Sequence, residues 1–285
     1  MKKIRPILLL TLLIIGQKIF AQSPWTQKKG NGYYQASLNL INSYNRLHLN
    51  GADSWNLSRE LSDMTASVYG EYGLNDKLTL IAELPYKFLS TGNVFLANSS
   101  IANPSNQEGT LNTLGNIKLA ARNQFINKGV VFSGQLTLEL PTAKYDDKTG
   151  LRSGYDAISL IPSVSVGKGF DKHYGYLSIG TGIKSNGYSE DLRISGEVGT
   201  KVLNRLWIVG VLDILKSFEN GDLIAPTRNL ETGLYVDRQA YTALGLKFIL
   251  EAHDNLGFNA GFYGGSGNFV AAQLSMNFGV YLKIQ

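Results

Sequence analysis

The chain has 285 residues, no cysteine and a formal net charge of +5. The missing cysteines exclude a disulfide framework, a thiolate metal site, a thiol nucleophile and the lipid-modified cysteine of a lipoprotein. Four of the cations, Lys2, Lys3, Arg5 and Lys18, lie before residue 22 with no acid among them; the remainder carries only +1, with no basic cluster beyond Lys28-Lys29, and lacks the electrostatic footprint of a nucleic-acid binder.

The first element predicted is a secretory signal over residues 1–21. Lys2, Lys3 and Arg5 form a basic region, Ile7 to Ile15 an apolar run, and Ala21 closes a cleavage site. That run is about half of the ~20 residues a spanning helix needs, so export through the Sec route is expected rather than a helical anchor. The mature part, residues 22–285, reads as one domain. Only about ten residues precede the first strand, too few for a folded N-terminal plug.

Beyond the signal the pattern has period two, in segments of about ten to fifteen residues, the mark of strands with different surroundings on their two faces. Met64, Ala66, Val68, Tyr72 and Leu74 alternate with Asp63, Thr65, Ser67, Tyr69 and Glu71. Leu78 to Phe88, Phe132 to Leu140 and Leu192 to Val202 repeat the pattern. The last segment is the clearest: Ala272, Leu274, Met276, Phe278, Val280, Leu282 and Ile284 oppose Gln273, Ser275, Asn277, Gly279, Tyr281 and Lys283.

Short turns are expected at 75–77, 127–129, 171–173, 203–205 and 252–255. Longer polar connections are expected at 51–60, 91–110, 142–153, 186–190 and 219–233, with a brief glycine-rich one at 264–267. Five turns and six loops imply about 12 strands. Soluble strands usually hold five or six residues, whereas these suit a tilted membrane strand. The fold class expected is all-β: a transmembrane antiparallel up-and-down β-barrel in a bacterial cell outer membrane. Tyr33, Tyr34, Tyr72, Tyr86, Phe88, Phe125, Phe132, Phe170, Trp207, Phe218 and Phe248 fall near strand ends, where interfacial girdles form. Glycines such as Gly199, Gly257 and Gly261 sit inside strands, where they mark bends or close approach.

If the apolar faces meet lipid, the opposite faces put Glu71, Glu83, Lys87, Lys118, Arg122, Glu139, Arg193, Glu197, Lys201, Asp213 and Lys247 in the lumen as pore-lining candidates. Both signs are interleaved, which fits either a polar pore or a self-neutralising plug of paired charges. No catalytic residue, metal site or cofactor is expected. His48, His173 and His253 are too dispersed for a metal site, and the glycines at 264–267 lack the helix and lysine of a phosphate loop.

At the C-terminus Asn277, Gly279, Leu282 and Ile284 stand as in the assembly signal of outer-membrane barrels, with Gln285 after them in place of a terminal aromatic. The resemblance implies recognition by the barrel-assembly machinery. Five segments, GLNDKLTLIAELPY (73–86), GNIKLAARNQF (115–125), LELPTAKYD (138–146), VSVGKGFDKHYGYLSIGTGIK (164–184) and LRISGEVGTKVLNRLWIVGVLDILKSF (192–218), resemble the outer-membrane transporters grouped as the MetA-pathway of phenol degradation family. The likeness implies a porin-like channel or facilitator for diffusion of small molecules, hydrophobic or aromatic ones included. A closed structural or adhesion barrel that binds a partner through its outer loops is the alternative. Outer-membrane lipid and lipopolysaccharide are the expected surroundings.

Overall fold

The computed structural model describes residues 23–49, 53–95 and 99–285; the expected signal at 1–21 lies outside them. Among the described residues fourteen strands follow in order: β1 (Gly32–Leu49), β2 (Asp53–Asn75), β3 (Leu78–Val94), β4 (Gly109–Leu114), β5 (Ile117–Lys128), β6 (Val130–Leu140), β7 (Ser159–Phe170), β8 (His173–Lys184), β9 (Asp191–Leu203), β10 (Leu206–Ser217), β11 (Ala240–Glu251), β12 (Leu256–Asn268), β13 (Val270–Ala271) and β14 (Ser275–Ile284). One short helix, α1 (Thr227–Thr232), lies between β10 and β11.

Neighbouring strands pair antiparallel all the way round, and β1 closes the ring by pairing with both β2 and β14. β4 and β5 share the edge of β3 end to end and together make one barrel strand. β13 is a two-residue addition on β1 at Leu47 and His48. The wall is therefore a closed, 12-strand, antiparallel β-barrel. Closure leaves no free strand edge, which a backbone in hydrocarbon requires.

The alternation sorts the side chains. Val68, Leu84, Leu136, Val164, Leu177, Val198, Leu244 and Phe278 are exposed on the outer wall, while Tyr69, Thr137, Ser165, Ser178 and Glu197 between them are buried inside. An apolar outer surface around a polar interior is stable only where lipid surrounds it. The closed barrel and its apolar belt place the chain in a bacterial outer membrane.

The hairpin turns at one end are tight, with Gly129 alone between β5 and β6. In outer-membrane barrels this end is periplasmic. At the opposite, loop end the wall is uneven. At about 3.3 Å per residue, the 23 residues of β2 run far beyond an apolar band ~25 Å tall, so β1, β2 and β3 rise above it.

Three expectations change, two about connections and one about the aromatic girdle. The segment 51–60, read as a loop, is mostly the start of β2. The glycines of 264–267, read as a connection, lie within β12 opposite Tyr241 to Leu244; a Cβ on Gly267 would stand 2.0 Å from the Ala240 carbonyl oxygen, so Gly267 serves close strand approach, whereas Gly264 has open space around it. The turn comes later, at Phe269 with φ +56°. Of the expected girdle, Tyr34, Tyr72, Tyr86, Phe88, Phe125, Phe170 and Phe218 do sit on the outer wall. Tyr33 and Trp207 instead face inward and join an internal aromatic cluster.

Candidate functional site

The lumen is built in three layers. At the short-turn end, Tyr33, Tyr69, Ile81, Tyr174, Val209, Ile249 and Tyr281 pack as one buried cluster drawn from strands all round the barrel. Two of these rings lie over glycines of the next strand. A Cβ on Gly199 would meet Tyr174 at 2.1 Å, and one on Gly257 would meet Tyr281 at 2.2 Å.

Residues 23–27 lie inside this layer, and 28–30 are exposed at its rim. Trp25 meets Tyr174 and Tyr176 edge-on at 6.2 and 6.3 Å between ring centroids. Its carbonyl accepts a hydrogen bond from Arg122 at 3.0 Å. The Gln27 amide nitrogen donates to Thr79 Oγ1 at 2.8 Å, and its side chain donates to Glu71 at 2.7 Å. A segment too short to fold alone thus stoppers the barrel by borrowing partners from β2, β3, β5 and β8.

The loop end carries a second closure. Tyr44, Leu47, Leu57, Leu61, Leu89 and Leu151 form its buried core, with Leu234 and Phe269 packed against it. Three connections meet over it, those after β3, β6 and β10. Gly150, at φ +74°, leaves no room for a side chain against the Arg228 carbonyl, and Thr232 donates to the Gly150 carbonyl oxygen at 2.9 Å. On α1, Glu231 accepts from the backbone nitrogens of Ser105 and Asn106 and from the Ser105 hydroxyl, at 2.7–3.1 Å.

Between the closures lies a chamber of about 390 Å³, bounded by β1–β3, β8–β12 and β14, with a smaller one of about 110 Å³ beside β5–β8. Tyr69 and Glu83 border both.

The eleven charged residues named from the sequence all find partners inside. Three pairs form among themselves: Arg122 with Glu71 at 3.2 Å, Lys118 with Glu83 at 3.2 Å and Lys247 with Glu197 at 2.6 Å. Lys87 pairs with Asp63 at 2.9 Å, Arg193 with Asp191 at 2.7 Å and Lys201 with Glu251. Glu139 accepts from Asn116 at 2.8 Å and Asp213 from the Tyr241 hydroxyl at 3.1 Å. Pairing is what a low-dielectric interior demands, because a lone charge there is expensive.

Asp63, Asp191 and Glu251 are partners that the sequence reading did not place among the lumenal charges, and Lys184 in turn pairs with Asp191. The signal was present for the three acids. Asp63 has the phase of Thr65, Asp191 that of Arg193, and Glu251 that of Lys247. Trp25 and Gln27 had no such signal, since they precede the first strand. The histidines stay apart: His48 lies at the loop end of β1, His173 opens β8, and His253 lies in the β11–β12 turn. In β14, Asn277 lines the larger chamber, Gly279 lies against Asn259, and Leu282 and Ile284 are exposed on the outer wall.

No family model and no curated protein matches the chain. Among solved structures it is similar to the COG4313 outer membrane channel from Pseudomonas putida F1, at 12% identity and a TM-score of 0.69, over 94% of this chain and 100% of that one. It is also similar to the KdgM porin, at 8% identity and a TM-score of 0.50, over 89% of this chain and 99% of that one. What these likenesses share with the closed wall and apolar belt is the fold, that of an outer-membrane β-barrel.

Proposed function

We propose that this protein is a gated outer-membrane channel through which small molecules diffuse. The observation that carries the reading is the chamber of about 390 Å³ held between two closures whose outer pieces, residues 23–31 at one end and the loop-end connections at the other, are not part of the wall, although the loop-end core also draws on β1–β3. Residues 23–31 and the loop-end connections make no barrel strand. Either closure can swing aside without breaking a strand ladder, whereas a barrel filled by its own wall residues could open only by distorting its registers. The fold shared with an outer membrane channel and a porin supports the reading.

In this reading the eleven charged residues line the path as a neutralised ladder, with no block of one sign to select a solute by charge alone. Membership of the MetA-pathway of phenol degradation family rests on the five segments quoted above, and the barrel shared with the COG4313 channel is compatible with it. A hydrophobic or aromatic cargo comes from that resemblance. The last strand, with Asn277, Gly279, Leu282 and Ile284, is the part offered to the barrel-assembly machinery.

Planar-bilayer recording tests the channel. The wild-type barrel should show small, infrequent openings, and Trp25→Ala should raise conductance severalfold by emptying the stopper. The chain has no cysteine, so Gln27→Cys with Thr79→Cys can tie the segment to β3; that pair should hold the pore shut until a reductant is added. A folded Trp25→Ala barrel that passes neither ions nor solutes overturns the reading.

One observation favours a closed barrel with a binding surface: the lumenal charges are already paired. A silent Trp25→Ala barrel would decide for that second reading.

A further inference from the structure

We infer that the larger chamber is a binding site for a small, uncharged, polyhydroxylated solute of monosaccharide size. The inference rests on the channel reading for the solute's way in and out, and on the chamber's own chemistry for its identity.

One half of the chamber wall is an amide and hydroxyl surface spread over four adjacent strands. On β1 it presents Gln35, Ser37 and Asn39, facing Ser67 of β2, Asn277 of β14 and Asn259 of β12. Asn39 and Asn277 stand directly opposite each other in register. Neighbours brace one another: the Ser37 and Ser67 hydroxyls are 2.8 Å apart, Asn259 donates to Gln35 at 3.2 Å, and Ser275 donates to Asn39 at 3.0 Å. Each amide offers two donor hydrogens and an oxygen with two lone pairs, and each hydroxyl both donates and accepts. Gln35 Oε1 also accepts from the Tyr33 hydroxyl, so it is the Gln35 amide hydrogens, with the second sites of the other amides and hydroxyls, that remain to meet a solute.

Across the chamber stands the ring of Tyr176 on β8, and Tyr263 lines it from β12, on the amide side. The charges that border it are engaged with one another or with a tyrosine: Lys118 with Glu83, Lys247 with Glu197, Asp213 with Tyr241.

Three classes of solute meet this wall differently. A charged solute must break an existing pair or remain buried and unpaired, both unfavourable in a low-dielectric interior. An apolar solute displaces water from the hydroxyls and amides and returns no hydrogen bond, which leaves buried polar groups unsatisfied. A neutral polyol donates and accepts at each hydroxyl, replacing displaced water bond for bond, and lays its C–H face on a tyrosine ring. The volume of about 390 Å³ lies within the ~300–1,000 Å³ common for small-molecule sites.

Ligand-observed NMR on the detergent-folded barrel tests this, with glucose as probe and phenol and gluconate as the apolar-aromatic and anionic comparisons. Trp25→Ala is measured in parallel so that a closed floor does not mask binding. Glucose should give a saturable signal in the millimolar range, and phenol and gluconate at least fivefold less at equal concentration. Asn39→Leu with Asn277→Leu should remove the glucose signal while the barrel keeps its folded mobility on gels. If that double variant fails to fold, Ser37→Ala with Asn277→Ser replaces it, and affinity should fall at least threefold.

Preference for phenol or gluconate, no glucose binding even in Trp25→Ala, or an affinity untouched by the substitutions overturns the inference. The two proposals fail separately. Ion conductance without glucose binding removes this site and keeps the channel; glucose binding without conductance in any variant removes the channel and keeps the site.

Discussion

Arg122 on β5 donates to Glu71 on β2 across the intervening strand β3 at 3.2 Å, with the two side chains only 1% and 2% exposed. Each has more than one partner. Glu71 also accepts from the Tyr69 hydroxyl at 2.6 Å and from Gln27, while Arg122 also donates to Gln135 and to the Trp25 carbonyl. The pair thus ties the wall to the stopper. It secures a charge in the lumen and the N-terminal segment with the same atoms.

Removing one member should be worse than removing both. Arg122→Ala leaves Glu71 buried without its cation, at an expected cost of about 3–5 kcal/mol. Arg122→Met with Glu71→Leu leaves no charge behind and should cost much less. Thermal unfolding of the three barrels in detergent, read by loss of the folded gel band, checks the order. A double variant less stable than Arg122→Ala would refute it.

The ring-over-glycine contacts give a second prediction. Tyr174 lies where a Cβ on Gly199 would be, and its hydroxyl donates to Glu197 at 3.1 Å. Gly199→Ala must push the ring away from both contacts, with an overpacking cost of about 1–3 kcal/mol. Gly264→Ala, in a strand position with nothing within 4 Å of the added Cβ, should cost well under half as much. Equal losses of stability at the two sites would show that the rings do not dictate these glycines.

Those glycines show how far the sequence could be read. Period-two alternation places Val68, Leu136 and Val198 outside and Glu71, Glu139 and Glu197 inside, because the pleat permits no other phase. It also separates tight turns from longer connections. It does not show which strand glycine carries a ring, since that ring belongs to the next strand and depends on register. Gly-Gly-Ser-Gly at 264–267 reads locally as a turn, yet β11 fits closely against it as a strand. The stopper was hidden for a different reason. Trp25 contacts Arg122, Tyr174 and Tyr176 at long sequence separation, and no local pattern encodes a segment that owes its order wholly to the wall around it.

The face assignment is testable at adjacent residues of β7. Val164 is 43% exposed on the outer wall, and Ser163 lines the smaller chamber. Val164→Arg, near the middle of the strand, should destabilise the barrel in lipid by about 2–4 kcal/mol. Ser163→Arg keeps its charge in a polar, partly hydrated space and should cost less. Urea unfolding in lipid vesicles separates them, and similar midpoints would contradict the assignment.

At the loop end, Glu231 is the clasp between α1 and the connection after β3. Its carboxylate gathers the backbone nitrogens of Ser105 and Asn106 and the Ser105 hydroxyl, and hydrogen bonds to a charged group contribute about 1.5–3 kcal/mol each. None of these partners lies in a barrel strand. Glu231→Ala should therefore loosen the outer closure and leave the wall intact. Hydrogen exchange at Ser105 and Asn106 should quicken at least tenfold and protease cleavage in that connection should increase, while the unfolding midpoint of the barrel stays within about a degree of wild type. The same variant should lengthen the open periods of Trp25→Ala in a bilayer, because the two closures stand in series on one path. If Glu231→Ala lowered the barrel midpoint as Arg122→Ala does, α1 would be a structural part of the wall and not a movable cover.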